Sequence, residues 1–422
     1  MTEKEMASAS ITPLLRTILI CVHLWFSIGV DWGALTHHSA LFHIPFPGLE
    51  FLRGDGLFFW FGWLAVISGV LALFNIAIGA TATLSGLMSL PFILASVETR
   101  YSFTYLPTLA VIGFGLVGRE RNSFPLIALL SSLYLTAALH KLTHFTAMLQ
   151  WLPLHLSNLV AEPWSVLSPW LLQELATCMA WSVVPVELML GTLYLIPKMR
   201  IYAFLLAFTF HSVLNVVFAG DWLLASVGFN ILCVHSAIAC IESDLRWSTL
   251  WSSRSARWTF AAFAGIGIID EIFVRSGLMH GLLKTIWLYG PICVIGLQGY
   301  QSMLKSPAIR ARGAQMWALI AFASLLLVWS LTPVLTDYTN QNLGWAMFAG
   351  AERSRPVYSF EALAKPCLED LRLKPLFAIQ EVGGKVVFSF QPYGSGQFLR
   401  DQIRSICPVA EAGEIHAGGT MW

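Results

Sequence analysis

Between Leu57 and Val97 the chain runs for 41 residues without one charged side chain. The hydrocarbon core of a bilayer takes about 20 apolar residues per helix. So long an uncharged stretch is therefore expected to form two membrane-crossing helices, joined by a tight turn near Gly79. Composition agrees. Of 422 residues, 56% are hydrophobic and 12% charged, where a soluble domain carries roughly a quarter of its residues as Asp, Glu, Lys and Arg. With 17 Trp, 28 Phe and a mean hydropathy of +0.68, most of the surface is built to meet lipid. A transmembrane β-barrel would show short alternating segments instead. The expected fold is an all-α polytopic membrane protein. A formal net charge of +1 gives no support for a nucleic-acid partner.

Apolar runs place candidate spans at 14–31, 57–78, 80–97, 102–118, 123–145, 172–196, 201–219, 222–241, 258–274, 281–303 and 314–335, about eleven in all. The ninth is the least regular, since Asp270, Glu271 and Arg275 interrupt it. Basic residues gather at Lys4 and Arg16, at Arg119 and Arg121, at Lys198 and Arg200, at Arg246 to Arg257, and at Lys305 to Arg312. Four, two, two and two spans separate these clusters, so all five fall on one side. The positive-inside rule makes that side cytoplasmic. The expectation is a plasma (inner) membrane protein with its N-terminus inside and its C-terminus outside. The first apolar run ends in Gly29-Val30-Asp31-Trp32 without a small-x-small exit, and so reads as an uncleaved span.

Residues 1–335 thus form a membrane domain, and 336–422 a small extracytoplasmic α+β tail. Within the tail, Phe377–Val382 and Lys385–Phe390 flank Gly383-Gly384 and read as a hairpin, while Gln397 to Ile406 could form a short helix. Cys21, Cys178, Cys233, Cys240 and Cys293 lie in apolar segments and behave as small hydrophobes. Cys367 and Cys407 lie in the polar tail; in an oxidising compartment they could pair or remain thiols.

The polar inventory converges on the outer face. The stretch Tyr134 to Trp151, YLTAALHKLTHFTAMLQW, ends an apolar span by placing His140, Lys141 and His144 within about one helical turn. Ionisable groups at membrane depth are costly and mark functional sites by default. A lone lysine at a helix end can simply snorkel to the headgroups. Two features set Lys141 apart: imidazoles flank it, and the nearby loops are poor in basic residues. Desolvation disfavours an ammonium relative to the free amine, which makes a buried lysine a usable general base.

His140 and His144 share a helical face at metal-binding spacing. A di-iron site would need several further histidine clusters, whereas only His37-His38 and His43 follow in a loop, so no metal is expected. Glu187, in VVPVELMLG, is a carboxylate among apolar neighbours; Lys141 or a histidine is its plausible partner. His211, in FTFHSVLNVVFAGDW, could make a polar helix–helix contact with Asn215 or face a cavity across from Lys141. Trp151 and His155 lie in the third outer loop, and His37 and His38 in the first.

The order Ala137-Ala138-Leu139-His140-Lys141-Leu142, then Trp151, Glu187, Phe210-His211, Phe218 and Gly220 resembles the vitamin K-dependent γ-carboxylases. These belong to the wider horizontally transferred transmembrane (HTTM) group, and the resemblance covers about residues 10–245. It implies that Lys141 is the catalytic base, with His211, Glu187, His140 and His144 shaping the site. It implies substrate-facing positions at Trp151, His155, Asn215, His37 and His38. It implies a reduced quinone of the vitamin K or menaquinol type, O2 and CO2 as reactants, with membrane lipid and a peptide or protein as partners. The activity implied is quinol epoxidation coupled to carboxylation of a glutamate side chain. His140 stands where those enzymes carry the first of two lysines, and the tail is shorter than theirs. The competing expectation is a non-catalytic HTTM component of secreted peptide or toxin maturation or export. A transporter would favour inverted repeats, which the sequence does not display.

Overall fold

The computed structural model describes residues 10–26, 57–95, 102–117, 123–143, 168–217, 222–243, 245–251, 254–274, 277–304 and 320–328, together with four short strands between 356 and 420. Helices dominate. In chain order they are α1 (Thr12–Leu24), α2 (Leu57–Leu73), α3 (Ile78–Ala95), α4 (Ser102–Val117), α5 (Phe124–Thr143), α6 (Pro169–Leu195), α7 (Arg200–Val217) and α8 (Trp222–Ser243). The short α9 (Trp247–Trp251), α10 (Arg254–Ile269), α11 (Gly277–Lys284) and α12 (Gly290–Met303) follow. Among the described residues, five stretches are long and apolar enough to cross a membrane: Phe124–Leu142, Thr177–Leu195, Pro197–Val217, Ala225–Ser243 and Met279–Met303. Shorter apolar helices cover Thr12–Leu24, Trp60–Leu73 and Tyr105–Val117. This is the architecture of a helical membrane protein.

The turn expected near Gly79 lies a few residues earlier. The chain reverses at 74–77, with Asn75 and Ala77 at φ 61° and 44°. Asparagine is at home in this left-handed region, whereas alanine is seldom found there. Gly79 instead lies in the first turn of α3, and its position against Gly115 lets α3 approach α4. The side chain of Asn75 accepts a hydrogen bond from Arg16 at 2.8 Å, tying this turn to α1.

The irregular ninth stretch also resolves physically. Helix α10 passes into a π-helical turn, Asp270–Val274, and a second π-turn, Thr285–Tyr289, joins α11 to α12. π-turns carry an extra residue per turn and often lie at functional sites. The first of them sinks Asp270 completely.

Side chains sort as a lipid-solvated bundle requires. Large apolar residues such as Trp60, Phe74, Leu139, Trp181 and Phe273 point outward. Small and polar residues, including Ser85, Ser89, Thr108, Asn230 and Ser236, are buried between helices. In a bilayer, association rests on close packing and interhelical hydrogen bonds more than on apolar burial. His23 of α1 shows the pattern, meeting Thr108 of α4 at 3.0 Å and both Ser85 and Ser89 of α3 at 3.2 Å.

In the tail, β1 (Pro356–Phe360), β2 (Phe377–Val382), β3 (Lys385–Phe390) and β4 (Ala417–Thr420) pair antiparallel in the order β2-β3-β1-β4. The two runs read as a hairpin are neighbours, with Phe377 opposite Phe390 and Val382 opposite Lys385. Cys367, Cys407 and the segment Gln397 to Ile406 lie outside the described residues.

Candidate functional site

The centre of the site is a buried ion pair. Lys141 lies in the last turn of α5, where Leu139 and Leu142 turn outward and the lysine turns in toward α6. Its Nζ donates to both carboxylate oxygens of Glu187, at 2.8 and 2.9 Å. The side chains retain only 4% and 9% of their exposure, so the pair is largely withheld from bulk water.

The helices can meet this closely because of Gly191, one turn beyond Glu187. A Cβ there would sit 2.6 Å from Leu135 Cγ and 3.1 Å from the Leu135 backbone nitrogen. At one start of this packing, Ser168 caps α6 by accepting from the Leu171 amide at 3.3 Å, and Pro169 occupies the first turn, where a missing N–H costs nothing. Pro185, two residues before Glu187, sits inside the helix. His140 is buried beside Lys141.

Two turns deeper lies a second polar layer. Tyr134 precedes Lys141 by seven residues on α5, and Tyr194 follows Glu187 by seven on α6. Their rings stack at a centroid distance of 6.4 Å and an interplanar angle of 4°. Each hydroxyl meets a histidine. Tyr134 Oη lies 3.0 Å from His211 Nε2 of α7, and Tyr194 Oη lies 2.6 Å from His235 Nε2 of α8. Phe210 packs edge-on against His211. Phe204 and Tyr194 flank His235, and the Tyr300 hydroxyl donates to its carbonyl at 3.3 Å.

A third layer closes the opposite end. Arg200, at the start of α7, donates from Nε to the Tyr194 carbonyl at 3.0 Å and pairs with Glu242 at 2.5 Å. The Ser123 hydroxyl, just before α5, donates to the same carboxylate. Glu242 follows His235 by seven residues on α8. Seven residues are close to two helical turns, so α5, α6 and α8 each present these two residues on one face.

Of the residues singled out in the sequence, the structure brings Lys141 and Glu187 together and places His211 one layer below them. Asn215 belongs elsewhere: its amide donates to Thr285 Oγ1 at 2.8 Å and to the Gly281 carbonyl at 3.1 Å, tying α7 to α11 and the second π-turn. His144, Trp151, His155, His37 and His38 lie outside the described residues. Among the described residues, no three His, Cys, Asp or Glu side chains group as a metal site requires.

Sequence reasoning missed Tyr134, Tyr194, His235, Arg200 and Glu242. Its usable signal was the recurrence of hydrogen-bonding residues seven apart on the same apolar helices. It also missed a separate cluster on the first π-turn. There Asp270 accepts from the Trp287 indole at 2.8 Å and pairs with His280 Nδ1 at 2.8 Å, with Lys284 buried one turn beyond. Beside it, Phe260, Phe263, Ile268, Ile272 and Trp287 help line an open apolar groove of about 530 Å³.

Compared with protein-family models, curated proteins and solved structures, the chain shows no match.

Proposed function

We propose that the chain is a γ-carboxylase-like integral membrane enzyme of the HTTM type, in which Lys141 is the base for quinol epoxidation coupled to glutamate carboxylation. One observation carries the reading: a lysine and a glutamate, buried and in bidentate contact, in the last turn of a membrane helix. Such a pair is a built-in proton exchanger. Moving one proton from Lys141 Nζ to a Glu187 oxygen turns an ion pair into a neutral pair. The net charge stays unchanged, so low dielectric does not penalise the step as it would a lone ionisation. Lys141 then offers a free amine, while Glu187 stores the proton 2.8 Å away.

The surroundings fit a lipid-soluble phenolic reactant. Leu139 and Leu142, on either side of the pair, face the lipid, and the aromatic layer of Tyr134, Phe210 and His211 lies two turns deeper. A reduced quinone of the vitamin K or menaquinol type, with O2, supplies the strong base that the carboxylation needs, and CO2 supplies the new carboxyl group. The chain's own part is to pass its own proton from Lys141 Nζ to Glu187, to take the reactant's proton on the amine so freed, and to hold both groups away from bulk water. His140 and His144 shape the approach. The finer architecture belongs to the same reading: about eleven crossings, a cytoplasmic N-terminus, a plasma (inner) membrane location, and an extracytoplasmic α+β tail at 336–422 that meets a peptide or protein substrate.

The completeness of the ion pair favours a second reading. A fully engaged ammonium is also what a structural clamp between α5 and α6 would use. The chain would then be a non-catalytic component of peptide or toxin maturation or export.

The deciding experiment gives purified protein in nanodiscs a reduced naphthoquinone and oxygen, and follows epoxide formation by chromatography. Wild type is expected to form epoxide and Lys141→Ala to form none. Folded wild type that forms no epoxide from any of several quinols would overturn the enzymatic reading.

A further inference from the structure

We infer that the open groove beside the first π-turn is a binding site for phosphatidylethanolamine, with an acyl chain lying in the groove and the ammonium head paired with Glu271. The inference stands on this groove alone and is independent of the Lys141 chemistry.

The groove holds about 530 Å³, within the range of about 300–1,000 Å³ common for small-ligand sites. Phe260, Phe263 and Ile268 of α10 line it together with Ile272 of the first π-turn, and Trp287 of the second π-turn lines it too. Trp258, Ile268, Ile272 and Phe273 are exposed along the same helical stretch, so in a helical membrane protein this side meets lipid. From Phe260 to Glu271 is roughly 16 Å along a helix at 1.5 Å per residue. That is about the depth of one leaflet in a hydrocarbon core about 30 Å thick. An acyl chain therefore suits the groove in length as well as in character.

The shape of the groove is built in. A Cβ at Gly267 would lie 3.2 Å from Trp287 Cδ2, so the absent side chain lets the indole settle against α10. Asp270 then fixes the indole. One carboxylate oxygen accepts from Trp287 Nε1 at 2.8 Å, and the other pairs with His280 Nδ1 at 2.8 Å. A wall held in place before a ligand arrives lowers the cost of binding.

The head group follows from charge. Asp270 and Glu271 are neighbours in sequence, yet Asp270 is fully buried, whereas Glu271 is exposed and lines the groove. Among the described residues lining the groove, Glu271 is the one ionisable side chain. It lies three residues from the end of the π-turn that finishes this helical stretch, the end at which head groups begin. A primary ammonium both neutralises a carboxylate and donates hydrogen bonds to it. A trimethylammonium head has no N–H to donate, and a phosphatidylglycerol head brings only like charge. Phosphatidylethanolamine joins a primary ammonium to an acyl chain without net charge.

The test gives the full chain, purified in mild detergent, equimolar phosphatidylethanolamine, phosphatidylcholine and phosphatidylglycerol with identical acyl chains. Retained lipid is counted by native mass spectrometry. Wild type should retain phosphatidylethanolamine about fivefold over each competitor, the factor expected from one ion pair. Glu271→Gln keeps the side-chain shape, removes its charge, and should lose the preference. Ala264→Phe places a ring in the groove from an exposed position and should lose the preferred adduct. Gly265→Ala, where an added Cβ meets nothing within 4 Å, should match wild type. Equal retention of the three lipids by folded wild type would overturn the inference, as would an undiminished preference in Glu271→Gln or in Ala264→Phe.

Discussion

Glu187→Ala probes the centre of the site most directly. In the folded protein the Lys141 ammonium touches both carboxylate oxygens at 2.8 and 2.9 Å, and its side chain is 4% exposed. Removing the carboxylate strands a cation among apolar helices. Breaking a buried pair from one side costs about 3–5 kcal/mol, most of it the penalty of the orphaned charge. An exposed pair would lose about 0–1 kcal/mol, so the two situations are well separated. Replacing both partners, as Lys141→Met with Glu187→Leu, should recover most of the loss, because well-packed apolar residues of similar volume substitute for a buried pair at little cost. The assay is reversible unfolding in mixed micelles across wild type, both single variants and the double. A Glu187→Ala loss below about 1 kcal/mol, or a double variant as unstable as the worse single one, would refute the view that this pair is dry and mutually dependent.

The other stability predictions use the same assay. Gly191→Leu should cost about 1–3 kcal/mol, because even its Cβ would fall 2.6 Å from Leu135 Cγ and drive α5 from α6; wild-type stability would show that the helices do not meet there. Tyr134→Phe should cost only about 0.6–2 kcal/mol, the range of single interhelical hydrogen bonds in membranes, and a larger loss would mean that the stacked tyrosines carry more than their hydroxyl contacts. Asp270→Ala should cost about 1–3 kcal/mol for each donor left buried, namely His280 Nδ1 and the Trp287 indole. Trp287→Phe in that background should then add little, and an additive loss would separate the two contacts.

What could be read in advance, and what could not, divides along physical lines. Helical membrane character follows from composition, since lipid imposes it on any chain with 41 uncharged residues in a row. Lys141 and Glu187 stood out because charge is rare at depth. Tyr134, Tyr194 and His235 did not, because single tyrosines and histidines are ordinary in apolar helices. Only the close packing at Gly191 and the antiparallel run of α5 against α6 show that Tyr134 meets Tyr194. The turn lies at Asn75 and not at Gly79 because this glycine, a turn former by type, here serves helix–helix approach. The π-turn around Asp270 read as an interruption because three charges in a hydrophobic run look like a break. A local change of helical pitch lets one of them be buried and paired instead.

Stability alone does not account for what this bundle encloses. Two ion pairs and two tyrosine–histidine pairs occupy the facing sides of α5, α6, α7 and α8. Apolar residues of equal volume would replace a buried ion pair with no loss, or with a gain of about 1–4 kcal/mol. A membrane hydrogen bond averages only about 0.6 kcal/mol. His235 Nδ1 and Asn230 are worse than neutral, since each leaves a buried polar atom without a partner, at a cost of about 1–3 kcal/mol per group. A column assembled for packing would have been built from leucine, alanine and glycine. Its polar residues instead recur seven apart on α5 (Tyr134, Lys141), α6 (Glu187, Tyr194) and α8 (His235, Glu242). What every layer shares is a polar pair joining neighbouring helices, and the ion-pair variants measure how far such a pair holds those helices together.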